Sequence, residues 1–274
     1  MQMMSTDPQG ELDAGGPNAA EILAIGEVEF VRCTPMFTNA APWYDAVYGR
    51  KAYESEADDV LARATSLRGG VPPASVLDVA CGTGQHLARF AAAGLAVAGT
   101  DLDPTMLAIA KERVPTATLA TADMVELDLD GRFDLVTCLF SSIGYVITPD
   151  RLRQAVASMA RHLTPGGVLV VEPWITPESW IDGRRPTVEH VEQGDWTVVR
   201  MGISHREGMV SRLLMHHLVS DGREVRHLVD EHTLGLFSFA EYREAFEGAG
   251  LQEIEVDEVG LSDRRGLVVG RAPE

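Results

Sequence analysis

Gly82 and Gly84 close the apolar run of VLDVACGTGQH, Val76 to His86, and Asp101 follows roughly 20 residues on. A ligand lying over a strand end needs a turn without side chains, because a Cβ at either glycine would push the backbone away from it. An acid at the end of the next strand can accept hydrogen bonds from ribose hydroxyls. Dinucleotide-binding turns add a further glycine and cradle a pyrophosphate on the next helix. Here that region is QHL, so the spacing points to a nucleoside cofactor that lacks a pyrophosphate. His86 has two readings, one facing the cofactor pocket and one solvated in the first helical turn.

The elements that must hold this turn follow from short β-branched runs alternating with longer amphipathic ones, which predicts a parallel sheet with crossover helices. SVLDVAC reads as the first strand, and GQHLARFAAAG as a helix ending on Gly94. LAVAGTDL is the second strand, and DPTMLAIAKERV a helix with Asp103 as N-cap and Pro104 at its first position. TLATAD is a short strand and RFDLVTCLFSS an apolar central one. A helix from Pro149 to about Leu163 stops at TPGG before GVLVVEPW resumes the sheet. Between Trp196 and Phe237, WTVVRMGISHR, MVSRLLMHHLV and EVRHLVDEHTLGLF, split by EG and DG turns, read as an antiparallel meander. FAEYREAFEGAG is then a helix, and LQEIEVDEV and RGLVVGRA, with no helix between them, must pair antiparallel. The expected plan is a disordered tail over 1–20, rich in Gly, Pro and small polar residues, and one domain over 21–274 carrying the β insertion at about 196–237.

Composition narrows the partners. The 274 residues are 45% hydrophobic and 23% charged, ordinary for a chain with a sizeable core. A net charge of -18 argues against a nucleic-acid partner. No apolar run of about 18 residues offers a membrane span, and no signal-peptide order opens the chain, so a cytoplasmic location is expected. Cys33, Cys81 and Cys138 have neither CxxC nor Cys/His spacing, so neither a disulfide framework nor a metal site is expected. His216 and His217 are adjacent on one strand and point to opposite faces, so they cannot form a joint ligand pair; His227 and His232 lie further along the meander.

In order, VLDVACGTG, the acid of GTDLD, TADM, FDLVTCLFSSIGY and LTPGGVLVVEPW resemble the motifs of class I S-adenosylmethionine-dependent methyltransferases, from about Ser75 to Trp174. The resemblance implies a Rossmann-like α/β fold. Its sheet would be mostly parallel and seven-stranded, with an antiparallel end strand, Gly266 to Arg271, and a small antiparallel β insertion. It also implies S-adenosylmethionine as cofactor. By position, the backbone at Ala80 and Gly82 would lie near the methionine moiety and Asp101 at the ribose. Asp123 and Met124 would meet the adenine, and Leu139 would line the methionine end.

A finer similarity lies in FSSIGYV, EPWITPESWIDG, YDAVYGRKAY and RRGLVVG. These resemble the N-methyltransferases that convert a nucleotide-linked 3-amino deoxysugar to its dimethylamino form in desosamine and mycaminose biosynthesis, over roughly Tyr44 to Arg271. Tyr48 and Arg50 would then touch substrate, Tyr53 would close over the cofactor, Tyr145 would sit beside the amine, and Trp174 and Arg265 would lie in the substrate site. The expectation is a small-molecule enzyme of secondary metabolism, with a homodimer left open.

That chemistry needs little equipment. A sulfonium methyl is an activated electrophile, so a neutral amine needs mainly in-line placement. The amine must still lose a proton, and a hydroxyl or imidazole that orients its lone pair would help; Tyr48 and Tyr145 are the catalytic candidates. A sugar-linked diphosphate needs local cations, for which Arg50, Arg184, Arg185, Arg264 and Arg265 stand in the right segments.

The chain departs from the sugar enzymes at Ile175 and Thr176, where they carry a further aromatic pair. The segment between Tyr48 and Tyr53 is shorter, and the arm through FVRCTPMFTNAAPW longer. Two other readings follow: a methyltransferase for a different small amine, carboxylate or hydroxyl, and a cofactor-binding homologue without activity. The meander has two candidate roles, walling the acceptor pocket and forming a dimer contact.

Overall fold

The computed structural model describes residues 31–32, 41–49 and 51–274. The expected tail at 1–20, Cys33 and Arg50 lie outside the described residues. Along the chain come β1 (Val31–Arg32), α1 (Ala41–Tyr48), α2 (Tyr53–Leu67), β2 (Ser75–Val79), α3 (Gln85–Ala92), β3 (Ala96–Asp101), α4 (Pro104–Arg113), β4 (Thr118–Thr121) and β5 (Phe133–Cys138). A 3₁₀ turn at Ser142–Val146 leads to α5 (Pro149–Ala160) and β6 (Leu163–Val171). Then follow β7 (Thr187–Gln193), β8 (Trp196–Glu207), β9 (Val210–Ser220), β10 (Val225–Gly235), α6 (Phe239–Gly248), β11 (Gln252–Asp257) and β12 (Leu267–Arg271).

The larger sheet has seven strands in the order β11-β12-β6-β5-β2-β3-β4. The strands from β6 to β4 are parallel, while β12 runs antiparallel to both β6 and β11. This is the expected Rossmann-like plan with its antiparallel end. The central strands are buried on both faces because helices cover both. Leu77, Val79, Val136, Leu169 and Val171 pack toward α5 and α6, where they meet Leu152, Met159 and Phe246. The alternate residues Val76, Leu135, Val168 and Val170 pack toward α2 and α3, against Val60, Ala64 and Phe90. Asp78 interrupts the apolar run in β2; it is buried and accepts a hydrogen bond from Thr137 Oγ1 at 2.7 Å.

Caps fix the helix starts. Asp103 accepts from Thr105 N at 2.8 Å with Pro104 behind it, as the sequence indicates. Ser238 and Glu241 form a reciprocal capping box on α6. The helix expected to reach Leu163 instead ends at Ala160. Arg161 N and His162 N close its last turn on Ala157 O and Met159 O, and TPGG then enters β6 across a register shift against β5. Gly166, at φ 68°, takes the left-handed conformation in that stretch.

The expected meander is a separate sheet, in the order β1-β10-β9-β8-β7. It begins at Thr187 rather than Trp196, because β7 pairs in register with β8, Thr187 opposite Gly202 and Gln193 opposite Trp196. It ends at Gly235 rather than Phe237, and β1 adds a parallel strand on β10. One face of this sheet turns toward the C-terminal ends of the parallel strands.

Candidate active site

A cavity of about 790 Å³ opens at those strand ends. Its floor is the turn after β2, the end of β3 and the Leu139–Ser141 segment after β5; its side wall is the inner face of β7 to β10, and α1 with the start of α2 covers it. The crevice outside the carboxyl ends of parallel strands is where open α/β sheets take their ligands.

The glycine turn holds two distinct roles. Gly82 has φ 55°, and nothing lies within 4 Å of where its Cβ would stand, so the backbone there is open to close approach. Gly84 has φ 77°, but its Cβ would come within 3.0 Å of Ala110 Cβ on α4. The glycine at 84 therefore serves helix packing, and of the two only Gly82 leaves the open space that close approach of a ligand needs. Ala80 also adopts a left-handed backbone, φ 59°, and lines the cavity. Asp101 sits at the end of β3, where its two carboxylate oxygens accept from Gly82 N and Asp103 N, each at 2.9 Å. Burial holds its pKa above the usual carboxylate value, against those backbone bonds.

Met124 and Leu139 line the same half of the cavity, with Met106 and Leu102 opposite the turn. Asp123, expected to meet the adenine, is not among the lining residues. One of its oxygens caps Val125 N at 2.9 Å and the other lies 3.3 Å from Arg151 Nη2. Its neighbours Ala122 and Met124 take the lining positions instead, because Asp123 turns outward to close the loop after β4.

The start of α2 joins this half through a buried ionic cluster that the sequence did not suggest. Glu56 is 1% exposed and receives hydrogen bonds from Lys51, Ser262 and His86, the last at 2.9 Å between Nε2 and Oε2. Lys51 also reaches Asp263 at 3.0 Å. His86 is thus a cavity-wall residue rather than a solvated one. The Tyr53 ring packs edge-on to His86 at 4.9 Å and lines the cavity as expected, and burial pushes its hydroxyl pKa up.

The other half gathers aromatic rings and cations. The Arg200 guanidinium lies 4.8 Å from the Tyr48 ring centroid and its Nη2 is 2.5 Å from Glu189 Oε2. Tyr48 also meets Phe140 edge-on at 5.1 Å. Burial raises the Tyr48 pKa against the opposing pull of Arg200 and Arg265, so the hydroxyl keeps its proton. Arg265 donates to Ser141 Oγ at 2.9 Å and lies 4.5 Å over the Trp174 ring. Trp174 is anchored by its indole N–H to Ser211 Oγ at 3.2 Å. Tyr145, on the 3₁₀ turn, places its hydroxyl 3.0 Å from His232 Nδ1, and burial raises its pKa.

Glu172 lies behind this floor, fully buried, with one oxygen accepting from Phe140 N at 2.6 Å. Phe140 and Ser141 both take left-handed backbones, φ 55° and 62°. The carboxylate thus fixes the turn that carries the Phe140 ring.

Of the residues expected from the sequence, Tyr48, Tyr53, Ala80, Gly82, Asp101, Met124, Leu139, Tyr145, Trp174 and Arg265 converge on the one cavity. Arg184, Arg185 and Arg264 do not line it. The cations found in their place beside Arg265 are Arg200 and Lys51. The adjacent histidines of β9 do diverge: His217 contacts Asp230 and Trp43, and His216 stacks on His227 at 5.3 Å. Among the described residues no cluster of His, Cys, Asp and Glu is arranged to hold a metal ion, and no helix is long and apolar enough to cross a membrane.

The geometry divides into an open backbone turn with a buried acid, suited to a nucleoside, and a polar-aromatic half with cations, suited to an anionic acceptor. A methyltransferase-domain model matches residues 76–167. The chain is 46% identical over 231 residues to dTDP-3-amino-3,4,6-trideoxy-alpha-D-glucopyranose N,N-dimethyltransferase of Streptomyces venezuelae, covering 83% of this chain and 95% of that protein. It is 41% identical over 233 residues to dTDP-3-amino-3,6-dideoxy-alpha-D-glucopyranose N,N-dimethyltransferase of Streptomyces fradiae, covering 84% and 89%. The fold is similar to S-adenosylmethionine-bound CalS10, an amino pentose methyltransferase from Micromonospora echinaspora, with a TM-score of 0.75, 41% identity and coverage of 83% and 95%.

Proposed function

The chain belongs to the family of S-adenosylmethionine-dependent aminosugar N,N-dimethyltransferases, and from that premise we propose that its acceptor is the amino group of a nucleotide-linked amino deoxysugar. The observation that carries this reading is the pair of half-sites in one cavity. One has the open Gly82 backbone and the buried Asp101; the other has Arg200, Arg265 and two tyrosine hydroxyls, in a chain whose net charge is -18. An acidic protein that collects arginines inside a cavity has built a local site for an anion such as a diphosphate.

S-adenosylmethionine supplies an activated sulfonium methyl. Asp101 would hold the ribose hydroxyls, Met124, Met106 and Leu102 would surround the base, and the Gly82 turn would admit the methionine end. Tyr48 and Tyr145, protonated by burial, orient the acceptor nitrogen by hydrogen bonding rather than by strong base catalysis. Arg265, pinned by Trp174 and Ser141, and Arg200, pinned by Glu189 and Tyr48, are held ready for the phosphates. Such placement is worth much of a methyl-transfer barrier.

The test is incubation with S-adenosylmethionine and dTDP-3-amino-3,6-dideoxy-D-glucose, followed by mass spectrometry. Gain of one and then two methyl groups supports the reading. Binding of S-adenosylmethionine by calorimetry with no methylated sugar would overturn the acceptor and leave the family assignment standing.

A further inference from the structure

Across the inner face of the small sheet, register places Glu189 opposite Arg200 and Arg200 opposite His217. Strand alternation puts Asp230 and His232 on that same face of β10. His217 Nε2 lies 3.2 Å from Asp230 Oδ2, and His232 Nδ1 lies 3.0 Å from the Tyr145 hydroxyl. His232 is buried, and both it and Tyr145 line the cavity.

Resting on the reading that the acceptor is an amine, we propose that His232 is a positioning residue that receives, through the Tyr145 hydroxyl, the proton each methyl transfer leaves on nitrogen. The amine lone pair forms the new N–C bond as the C–S bond breaks, and that bonding pair stays on sulfur. The product nitrogen then carries one proton too many and a positive charge. That proton passes to the Tyr145 oxygen while the Tyr145 proton passes to Nδ1 of His232. A neutral methylamine and an imidazolium result, and the imidazolium releases its proton to water. A neutral amine is what a second transfer requires.

The groups facing His232 fit this role. Burial favours its neutral form, and His217 on β9 and Arg200 on β8 add to that effect. Asp230 on its own strand acts the other way and would support the imidazolium while it lasts. The balance lies below the usual histidine value of 6.5, so the ring is neutral and able to accept at neutral pH.

The deciding variant is His232→Asn, whose side-chain oxygen can still accept from Tyr145 but cannot take a proton. The wild type should lose turnover only as pH falls below the ordinary histidine range. In His232→Asn, kcat at neutral pH should fall about tenfold or more, recover as pH rises, and leave monomethylated sugar to accumulate. Cofactor affinity should not change. Tyr145→Phe, which leaves His232 in place, should give the same pH profile, and the double variant should be no worse than either single one. An active wild type with a His232→Asn variant of unaltered pH profile and product ratio would overturn this inference alone. A wild type that binds S-adenosylmethionine and methylates no aminosugar nucleotide would overturn the functional reading and this inference with it.

Discussion

Arg200 lies across the ring of Tyr48, its guanidinium carbon 4.8 Å from the ring centroid, so a strand of the small sheet and the N-terminal helix α1 meet inside the cavity. The same guanidinium is held by Glu189 Oε2 at 2.5 Å. A cation fixed at both ends in this way is positioned before any ligand arrives, which lowers the ordering cost of binding.

Arg200→Met should therefore lower kcat/KM for the sugar nucleotide by about tenfold or more, equivalent to roughly 1.4 kcal/mol, while leaving S-adenosylmethionine affinity unchanged. Arg200→Lys should recover part of the loss, since it keeps charge without the planar stack on Tyr48. Steady-state kinetics beside calorimetry checks both. Equal loss in cofactor affinity would show that Arg200 acts on the whole cavity rather than on the acceptor.

Asp101→Ala should weaken S-adenosylmethionine binding by about 1.5 to 3 kcal/mol, the worth of a charge-assisted hydrogen bond. Because Asp101 also accepts from Gly82 N and Asp103 N, the alanine variant should melt at a lower temperature as well. Asp101→Asn, which restores an acceptor without charge, should recover stability more than affinity. Calorimetry and thermal melts separate the two effects, and unchanged affinity in both variants would remove Asp101 from the cofactor site.

The Glu56 cluster predicts an acid limb in stability. Burial alone would raise the Glu56 pKa, but the bonds from His86, Lys51 and Ser262 outweigh it and hold it down to about 2, against an ordinary 4.5. A carboxyl depressed by folding stabilises fully above its unfolded value and loses that contribution as pH falls toward the folded one. The wild type should thus lose stability between about pH 4.5 and 2. Glu56→Gln, which leaves the buried Lys51 with Asp263 as its acidic partner, should cost about 1.5 to 3 kcal/mol at neutral pH, the worth of a hydrogen bond to a charged group. The gap between the two chains should close as the pH falls through that window. Denaturation midpoints across pH test this, and a gap independent of pH would show that the cluster contributes packing alone.

The parallel core was legible in the sequence because its strands are buried on both faces and read as unbroken apolar runs, and because Asp103 caps its helix by local chemistry. The helix α2 was not. Its buried stripe is Tyr53, Glu56, Ala57, Val60, Ala64 and Leu67, and a carboxylate with two alanines in the stripe blurs the apolar period. The strand β7 escaped for a related reason: TVEHVEQ is an edge strand, mostly exposed, whose polar residues show no alternation. The glycine turn could be read because its residues are contiguous in the sequence. Arg200 and His232 could not, because this cavity wall is assembled by register between strands, and a strand's inward charge looks like any solvated residue until its partner is known. Asp123 shows the converse, a residue named by motif position whose two oxygens meet Val125 N and Arg151.

Among the described residues the small sheet shares no ladder with the seven-stranded one, yet Glu189, Arg200, Leu213, Met215, His232 and Leu234 of its inner face meet the cavity. Substitutions at those positions would reshape the cavity wall while the hydrogen-bonded frame under Gly82 and Asp101 stays as it is. The wall and the floor of the cavity are in that sense separately heritable, each carried by its own sheet.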